Sequence, residues 1–249
     1  MPDQIKYRKN FLSEVIARID FASPIHRIAK DLPSRISTAA LKAFPIQEPR
    51  KAIAQHLQIS QQNVTTENVE LTEWHFFGKE REKQLVLVNE SLFVTYTRYE
   101  NYSSFRDDFL NILEVFFKDF PECVPNRLGL RYINKISIQN GDPFSWEEYI
   151  NASLLSILNF STNKTQISRA FSNLEFNHGD FNVRFQFGMH NPDFPAIIRQ
   201  RHFILDYDAY HQGLQNPQDI GHNLDRYHEQ IQLLFENSIK DSFRERLND

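Results

Sequence analysis

The chain has little of what disulfide-bonded and membrane proteins need. It contains one cysteine, Cys123, so no disulfide can form within the chain and a cysteine-based metal cluster is excluded. No apolar run is long enough to span a bilayer, and the N-terminal stretch carries charges without an apolar core. We therefore expect a cytoplasmic protein with no signal peptide and no membrane association.

The local motifs of several enzyme classes are also missing. The sequence has no Gly-x-Ser-x-Gly elbow, no dinucleotide-binding glycine fingerprint and no His-Glu-x-x-His zinc motif. Its net charge is −4, which is unfavourable for a domain that holds nucleic acid mainly by neutralising phosphates. These absences favour a binding protein over an enzyme, and we predict no cofactor.

Aromatic residues are abundant, with 22 phenylalanines, and their spacing indicates strands and helices in an ordered succession. Apolar alternation predicts a strand over 11–21 and three more over 69–77, 83–89 and 91–99. A short helix is expected over 34–44, ended by Pro45. Ser104 begins a longer helix with one apolar stripe, and 49–60 fits a strand or a helix.

The same order is predicted again after Pro125. A strand over 127–138 comes first, and Ser145 with Glu148 forms a capping box for a helix. Strands follow over 165–177, 181–189 and 201–210. A long helix then begins at Asn216-Pro217, and its apolar stripe runs through to Phe243.

Gapless alignments support an internal repeat. Leu12 aligns with Gly129, an offset of 117, and Leu92 aligns with Phe203, an offset of 111. We predict an α+β fold of two related halves, 1–124 and 125–249, each with a short and a long helix packed on an antiparallel sheet. No linker rich in glycine or serine separates them, so we expect tight packing and allow for one continuous sheet.

The most unusual strand is RLGLRYINKI, because its alternation places Arg127, Arg131 and Lys135 on one face. Arg184 lies on a later strand and would extend this face. One interpretation is a solvated face whose cations pair with nearby acids. The other is a cationic groove that receives an acidic peptide, a phosphate or a nucleic acid strand. On the opposite apolar face, Asn134 requires hydrogen-bond partners if it is buried.

Two further polar groups are candidates for chemistry. His202, Asp206 and Asp208 share one face of the strand HFILDYDAY, and these residue types bind divalent ions. They are equally suitable partners for the arginine-bearing strands. A polar stripe of His222, Asp225 and Glu229 on the last helix is typical of a solvated helix face.

Several stretches resemble a sporadically distributed family of uncharacterised bacterial proteins of about this length. The resemblance covers nearly the whole chain, and its most specific piece is RLGLRYIN at 127–134. It implies a bacterial cytoplasmic protein, and the patchy distribution of the family suggests defence or toxin–antitoxin genes. It carries over no catalytic residues.

The sequence thus predicts a non-catalytic protein that binds a protein partner through Arg127, Arg131, Lys135 and Arg184, with no metal site. An antitoxin, an immunity protein or a phage-defence subunit would fit this hypothesis. One alternative is a metal-dependent nuclease or other phosphate-acting hydrolase that uses His202, Asp206 and Asp208. A second is a single-stranded nucleic-acid-binding protein, since tyrosines and phenylalanines interleave with the cations.

Overall fold

A computed structural model describes residues 7–59, 64–139 and 141–249. The expectation about a signal peptide depends in part on residues 1–6, which lie outside the described residues. The described strands form one antiparallel sheet in the order β2-β3-β4-β5-β1-β6-β9-β8-β7. The strands are β1 (Leu12–Phe21), β2 (Ile46–Ile59), β3 (Val64–Phe77), β4 (Lys83–Leu87), β5 (Ser91–Tyr96), β6 (Pro125–Ser137), β7 (Ala170–Asn177), β8 (Asn182–Met189) and β9 (His202–Gln212).

The α-helices cover one face of this sheet. They are α1 (Ser34–Ala43), α2 (Tyr102–Asp119), α3 (Ile220–Ser238) and α4 (Asp241–Asn248). Helix α3 packs on β6 and β9, and α2 packs on β5 and on α1. None of the helices in the described ranges is long and apolar enough to cross a membrane.

Period-2 alternation determines which face of each strand the helices cover. On β6, Leu128, Leu130 and Ile136 are fully buried, whereas Arg127 and Arg131 on the other face are half-buried. The buried face continues onto β1 and β9, where Val15, Ala17, Ile19, Leu205 and Tyr207 have no exposed surface. Burial of this many large apolar side chains is the main stabilising contribution to the fold. The mixed helix and antiparallel-sheet architecture agrees with the predicted fold class.

The start of α2 follows from its capping residue. The Asn101 side chain accepts a hydrogen bond from the Ser104 backbone N–H at 2.9 Å, so the helix begins two residues before the predicted Ser104. From there Phe105, Phe109 and Phe116 lie on one buried stripe. The predicted spacing of this helix is confirmed.

Two predicted helical features are wrong, and one contact explains both. The capping box at Ser145 and Glu148 begins no α-helix; a 3₁₀ helix (Ala152–Asn159) follows instead. The long C-terminal helix ends at Ser238, and α4 is separate. Ile150 forms an isolated antiparallel bridge with Ile239, so both segments become extended at that point and helix propensity is overridden.

The ambiguous stretch at 49–60 is a strand as far as Ile59; residue 60 lies outside the described residues. It pairs with β3 along its whole length, from Ile46 opposite Phe77 to Ile59 opposite Val64. Only the last four residues of β3 pair with β4. The β2–β3 hairpin therefore extends beyond the rest of the sheet as a two-stranded arm.

Candidate functional site

The uncovered face of the second half carries a row of four alternating charges. Arg131 lies opposite Asp208, Asp208 lies opposite Arg184, and Arg184 lies opposite Glu175, so the row crosses β6, β9, β8 and β7. We call these four residues the charge ladder. The side chains of Arg131, Arg184 and Glu175 are 43%, 51% and 40% exposed. They are therefore accessible to a partner.

Arg131 also forms an ion pair with Asp206, which is not part of the charge ladder. Its Nε and Nη2 donate to the two carboxylate oxygens of Asp206 at 2.8 and 2.6 Å. The Asp206 side chain is 9% exposed, so this acid is buried beneath the guanidinium. A two-bond pair of this kind fixes the orientation of the guanidinium plane. Arg131 is therefore a positioned cation.

Asp208 has a different environment, although it lies only two residues further along β9. Its nearest cation is Arg127, with Nη2 at 3.6 Å from Oδ2. Burial raises the pKa of the Asp208 carboxyl, and the charges of Arg127, Arg131 and Arg184 oppose that rise. Burial therefore disfavours the ionised form of Asp208, whereas the three neighbouring arginines favour it.

All four predicted binding residues lie on this face. Arg127 pairs with Asp208 at 3.6 Å and Arg184 with Glu175 at 3.4 Å. Lys135 is exposed, at the far end of β6. Since three of the four cations already face carboxylates, the face is a mixed-charge surface and not a uniformly cationic groove.

His202 lies apart from the two aspartates with which the sequence grouped it. It is four residues from Asp206 along an extended strand, which is about 13 Å, and its Nε2 is 2.7 Å from Oε1 of Gln200. In residues 7–59, 64–139 and 141–249, no group of three or more His, Cys, Asp or Glu side chains is arranged to hold a metal ion. The three proposed ligands therefore do not converge on one point.

A second candidate site lies on the helix-covered side, between the two halves. It is a cavity of about 150 Å³. Residues 7–12 pass over it, anchored by Lys9 N–H to the Leu247 carbonyl at 2.8 Å and by Asn10 Nδ2 to the Tyr99 carbonyl at 3.1 Å. The residues around it are Tyr7, Lys9, Asn10, Phe11, Leu12, Tyr99, Glu100, Asn101, Tyr102, Tyr132, Asn134, His228, Ile231, Gln232, Phe235, Glu236, Phe243 and Leu247.

A chain of polar atoms runs along this cavity. The Tyr132 hydroxyl lies 3.1 Å from the Tyr99 hydroxyl and 3.1 Å from Nδ1 of His228. Tyr102 stacks on the His228 ring with centroids 3.9 Å apart. Burial raises the pKa of Tyr99 to about 12 and lowers the pKa of His228 to about 4. These hydrogen-bonded side chains are therefore uncharged at neutral pH.

Helices α2 and α3 are joined beside the cavity by a charged cluster. Arg106 donates to both carboxylate oxygens of Asp225, at 2.6 and 3.0 Å. The Tyr102 hydroxyl donates to the same carboxylate at 2.8 Å. Asp225 thus connects the helices, while its stripe neighbours His222 and Glu229 are exposed.

The sequence indicated this cavity only through Asn134. That residue is 6% exposed, on the face that alternation assigned to the core. In the described part of the chain its carboxamide makes one hydrogen bond, from Nδ2 to the Leu205 carbonyl at a long 3.4 Å. The aromatic walls have the same spacing as ordinary core residues, so periodicity could not distinguish them.

Two comparisons with known proteins found no relative of this chain. No protein-family model matches the chain, and no curated protein matches it significantly.

Proposed function

We propose that the protein binds another protein through the uncovered face of its second half, and that this binding is its function. The observation that carries the proposal is the charge ladder of Arg131, Asp208, Arg184 and Glu175, on a face that no helix of the described residues covers. Apolar side chains adjoin the ladder: Ile16 is paired with Arg131, and Ile133 with Asp206. Positioned charges beside apolar surface are typical of a protein interface.

Charge alternation favours a protein over a nucleic acid as the partner. A phosphate backbone presents one sign of charge and would meet Asp208 and Glu175 between the arginines. A protein surface can present acids and bases in the complementary order, and such complementarity contributes mainly specificity. The chain resembles a sporadically distributed family of uncharacterised bacterial proteins, and the patchy distribution of that family suggests defence or toxin–antitoxin genes. A toxin or another defence component as the partner would fit this role.

A charge exchange tests the order of charges in the ladder. Arg184→Glu combined with Glu175→Arg keeps a pair between β8 and β7 but reverses its order, and it places an acid opposite Asp208. Because both side chains are solvent-accessible, we expect little change in stability. The partner, co-purified from the native cell and then prepared separately, should bind the wild type in a calorimetric titration and bind the exchanged variant at least about tenfold more weakly.

The matched control is Lys118→Glu combined with Glu114→Lys on α2. This pair is also exposed and is joined by a 2.6 Å contact, but it lies on the helix side. It should leave affinity unchanged. Hydrogen exchange of the complex should protect β6, β8 and β9. Protection of α2 and α3 instead, together with unchanged affinity of the Arg184→Glu, Glu175→Arg variant, would reject the proposed surface.

The geometry favours neither alternative activity. Asp206 is engaged by Arg131, and His202 lies about 13 Å from it along the strand, so a shared catalytic metal is not favoured. Single-stranded DNA binding would fall steeply with added salt. Tight, salt-sensitive binding of a DNA oligonucleotide that is lost in Arg131→Glu would replace the protein-partner proposal with the nucleic-acid one.

We also infer that the two halves are copies of one ancestral unit. Adding the sequence offset of 117 to Val15 gives Tyr132, and these two residues are paired between β1 and β6. Adding 111 to Tyr96 gives Tyr207, and Tyr132 pairs with Tyr207 as Val15 does with Tyr96.

The other five residue pairs between β1 and β5 map onto pairs between β6 and β9 in the same way. For example, Asp20 opposite Ser91 corresponds to Ser137 opposite His202. An experimental structure should superimpose the two sets of strands at this register. A superposition at any other register would reject the duplication.

A further inference from the structure

The cavity between the two halves has the size of a single aromatic ring. Its volume is about 150 Å³, and an apolar protein cavity of about 150 Å³ accommodates one benzene molecule. The volume of the cavity therefore matches that of a monocyclic molecule.

The walls present aromatic rings from both halves. Phe11 and Tyr99 come from the first half, and Phe235 and Phe243 from the second. Phe11 stacks on Phe243 with centroids 5.5 Å apart, and Tyr99 meets Tyr132 edge to face at 5.6 Å. Offset-stacked and edge-to-face contacts are the arrangements that a further aromatic ring would extend.

Two polar groups in this lining have capacity for another hydrogen bond. The Tyr132 hydroxyl can make three hydrogen bonds, and Tyr99 and His228 account for two. The Asn134 carboxamide can make four, and its one bond within the described residues, to Leu205, is long. Both side chains are buried, so each can offer a hydrogen bond to a ligand placed beside it in the cavity.

The polar groups nearest the sheet are uncharged at neutral pH. Burial raises the pKa of Tyr132 and lowers that of His228 to about 4. Among the charged residues of the lining, Lys9 and Glu100 are exposed to solvent. Glu236 is already engaged by the Tyr7 hydroxyl at 2.7 Å and by Arg244 Nε at 2.8 Å. A charged ligand would therefore pay its desolvation cost without a counter-charge at the inner end.

We propose that this cavity binds a neutral, single-ring aromatic molecule that carries one hydrogen-bonding substituent. The ring contacts Phe11, Phe235 and Phe243, and the substituent bonds to Tyr132 and Asn134. This site is on the helix side of the sheet, so it is independent of the partner-binding face. A ligand here joins α3, α4 and residues 7–12 and stabilises the contact between the halves.

Phenol, benzene and benzoate are the probes that test this assignment. Phenol should bind the full chain with a dissociation constant on the order of 1 mM or lower, measured by calorimetry and by ligand-observed NMR. Benzene should bind about fivefold more weakly because it makes no hydrogen bond. Benzoate should bind at least about tenfold more weakly than phenol because its charge must be desolvated.

Tyr132→Phe removes the hydroxyl and should weaken phenol binding to the level of benzene. The matched control is Tyr207→Phe, because Tyr207 lies directly opposite Tyr132 on β9, is equally buried, and bonds to Ser238 outside the cavity. The control should lose comparable stability and keep phenol affinity. Leu12→Trp, which fills the cavity from β1, should abolish binding while circular dichroism remains native.

Three results would overturn the proposal. No phenol binding at 10 mM, on the order of ten times the expected constant, would show that the cavity holds no ring. Equal phenol affinity in the folded Leu12→Trp variant would place the ligand elsewhere. Equal affinities for phenol and benzene would remove the hydrogen-bonding substituent from the assignment.

Discussion

Arg131 donates two hydrogen bonds, of 2.8 and 2.6 Å, to the carboxylate of Asp206 on the neighbouring strand. The acid is nearly buried, whereas the guanidinium reaches solvent. The geometry differs from that of a surface ion pair, because the buried partner depends on the exposed one for its hydrogen bonds. The pair therefore contributes to stability and also holds the Arg131 guanidinium at the surface.

Asp206→Asn should lower the free energy of unfolding by about 2 kcal/mol, because the charged hydrogen bonds are lost in a buried position. Denaturant unfolding followed by tryptophan fluorescence measures the change. Asp208→Asn is the matched comparison on the same strand. It should cost less, since burial raises the pKa of Asp208 and its ionised form is already disfavoured. Equal losses would contradict this distinction.

His228 should make the fold sensitive to acid. Burial lowers its pKa to about 4 in the folded protein, while the charge of Asp225 opposes that shift; the unfolded value is near 6.5. The neutral form is therefore favoured by folding. Its contribution is complete above pH about 6.5 and is lost as the pH falls towards 4, up to about 3 kcal/mol.

Unfolding free energies measured between pH 7 and pH 4 test this. The variant His228→Gln should show a flatter dependence than the wild type. His222→Gln, an exposed position on the same helix, should leave the dependence unchanged. If the unfolding free energies of the wild type and of His228→Gln depend on pH in the same way, His228 is not the source of the acid sensitivity.

Local sequence patterns predicted most strands correctly because alternation is a local property. Leu128, Leu130 and Ile136 alternate with Arg127 and Arg131, and the structure buries the first set only. The pairing of those arginines depends on register with a strand about 75 residues away. The sequence could therefore favour paired charges over a metal site for Asp206 and Asp208 without showing which arginine each acid meets.

The errors and the missed cavity have tertiary causes. The bridge of Ile150 to Ile239 joins segments 89 residues apart. It replaces one predicted helix and ends another, which no local signal reveals. The cavity collects residues from β1, α2, β6 and α3, each ordinary in its own segment. Only Asn134 stood out in the sequence, because it is an amide on an apolar strand face. It pointed to the position of the cavity but not to the chemistry of a ligand.

Cys123 should be unreactive in the native protein. It is 7% exposed, and burial raises its pKa to about 12, so little thiolate exists at pH 8. Its reaction with a disulfide reagent should be at least about a hundredfold slower in the folded than in the urea-unfolded chain. Similar rates in both states would show that the loop between α2 and β6 opens readily.

Asp225 should couple α2 to α3 in a way that an exposed pair cannot. A double-mutant cycle with Arg106→Met and Asp225→Leu should give a coupling free energy of about 1–2 kcal/mol, because the two-bond pair is about two-thirds shielded from solvent. The control cycle uses Glu114 and Lys118, an exposed pair within α2, whose coupling should fall within experimental error. Equal coupling free energies in the two cycles would show that the Arg106–Asp225 pair contributes no more than an exposed ion pair. A larger coupling for Arg106 and Asp225 would mean that the contact between the halves, and with it the cavity floor, depends on this carboxylate.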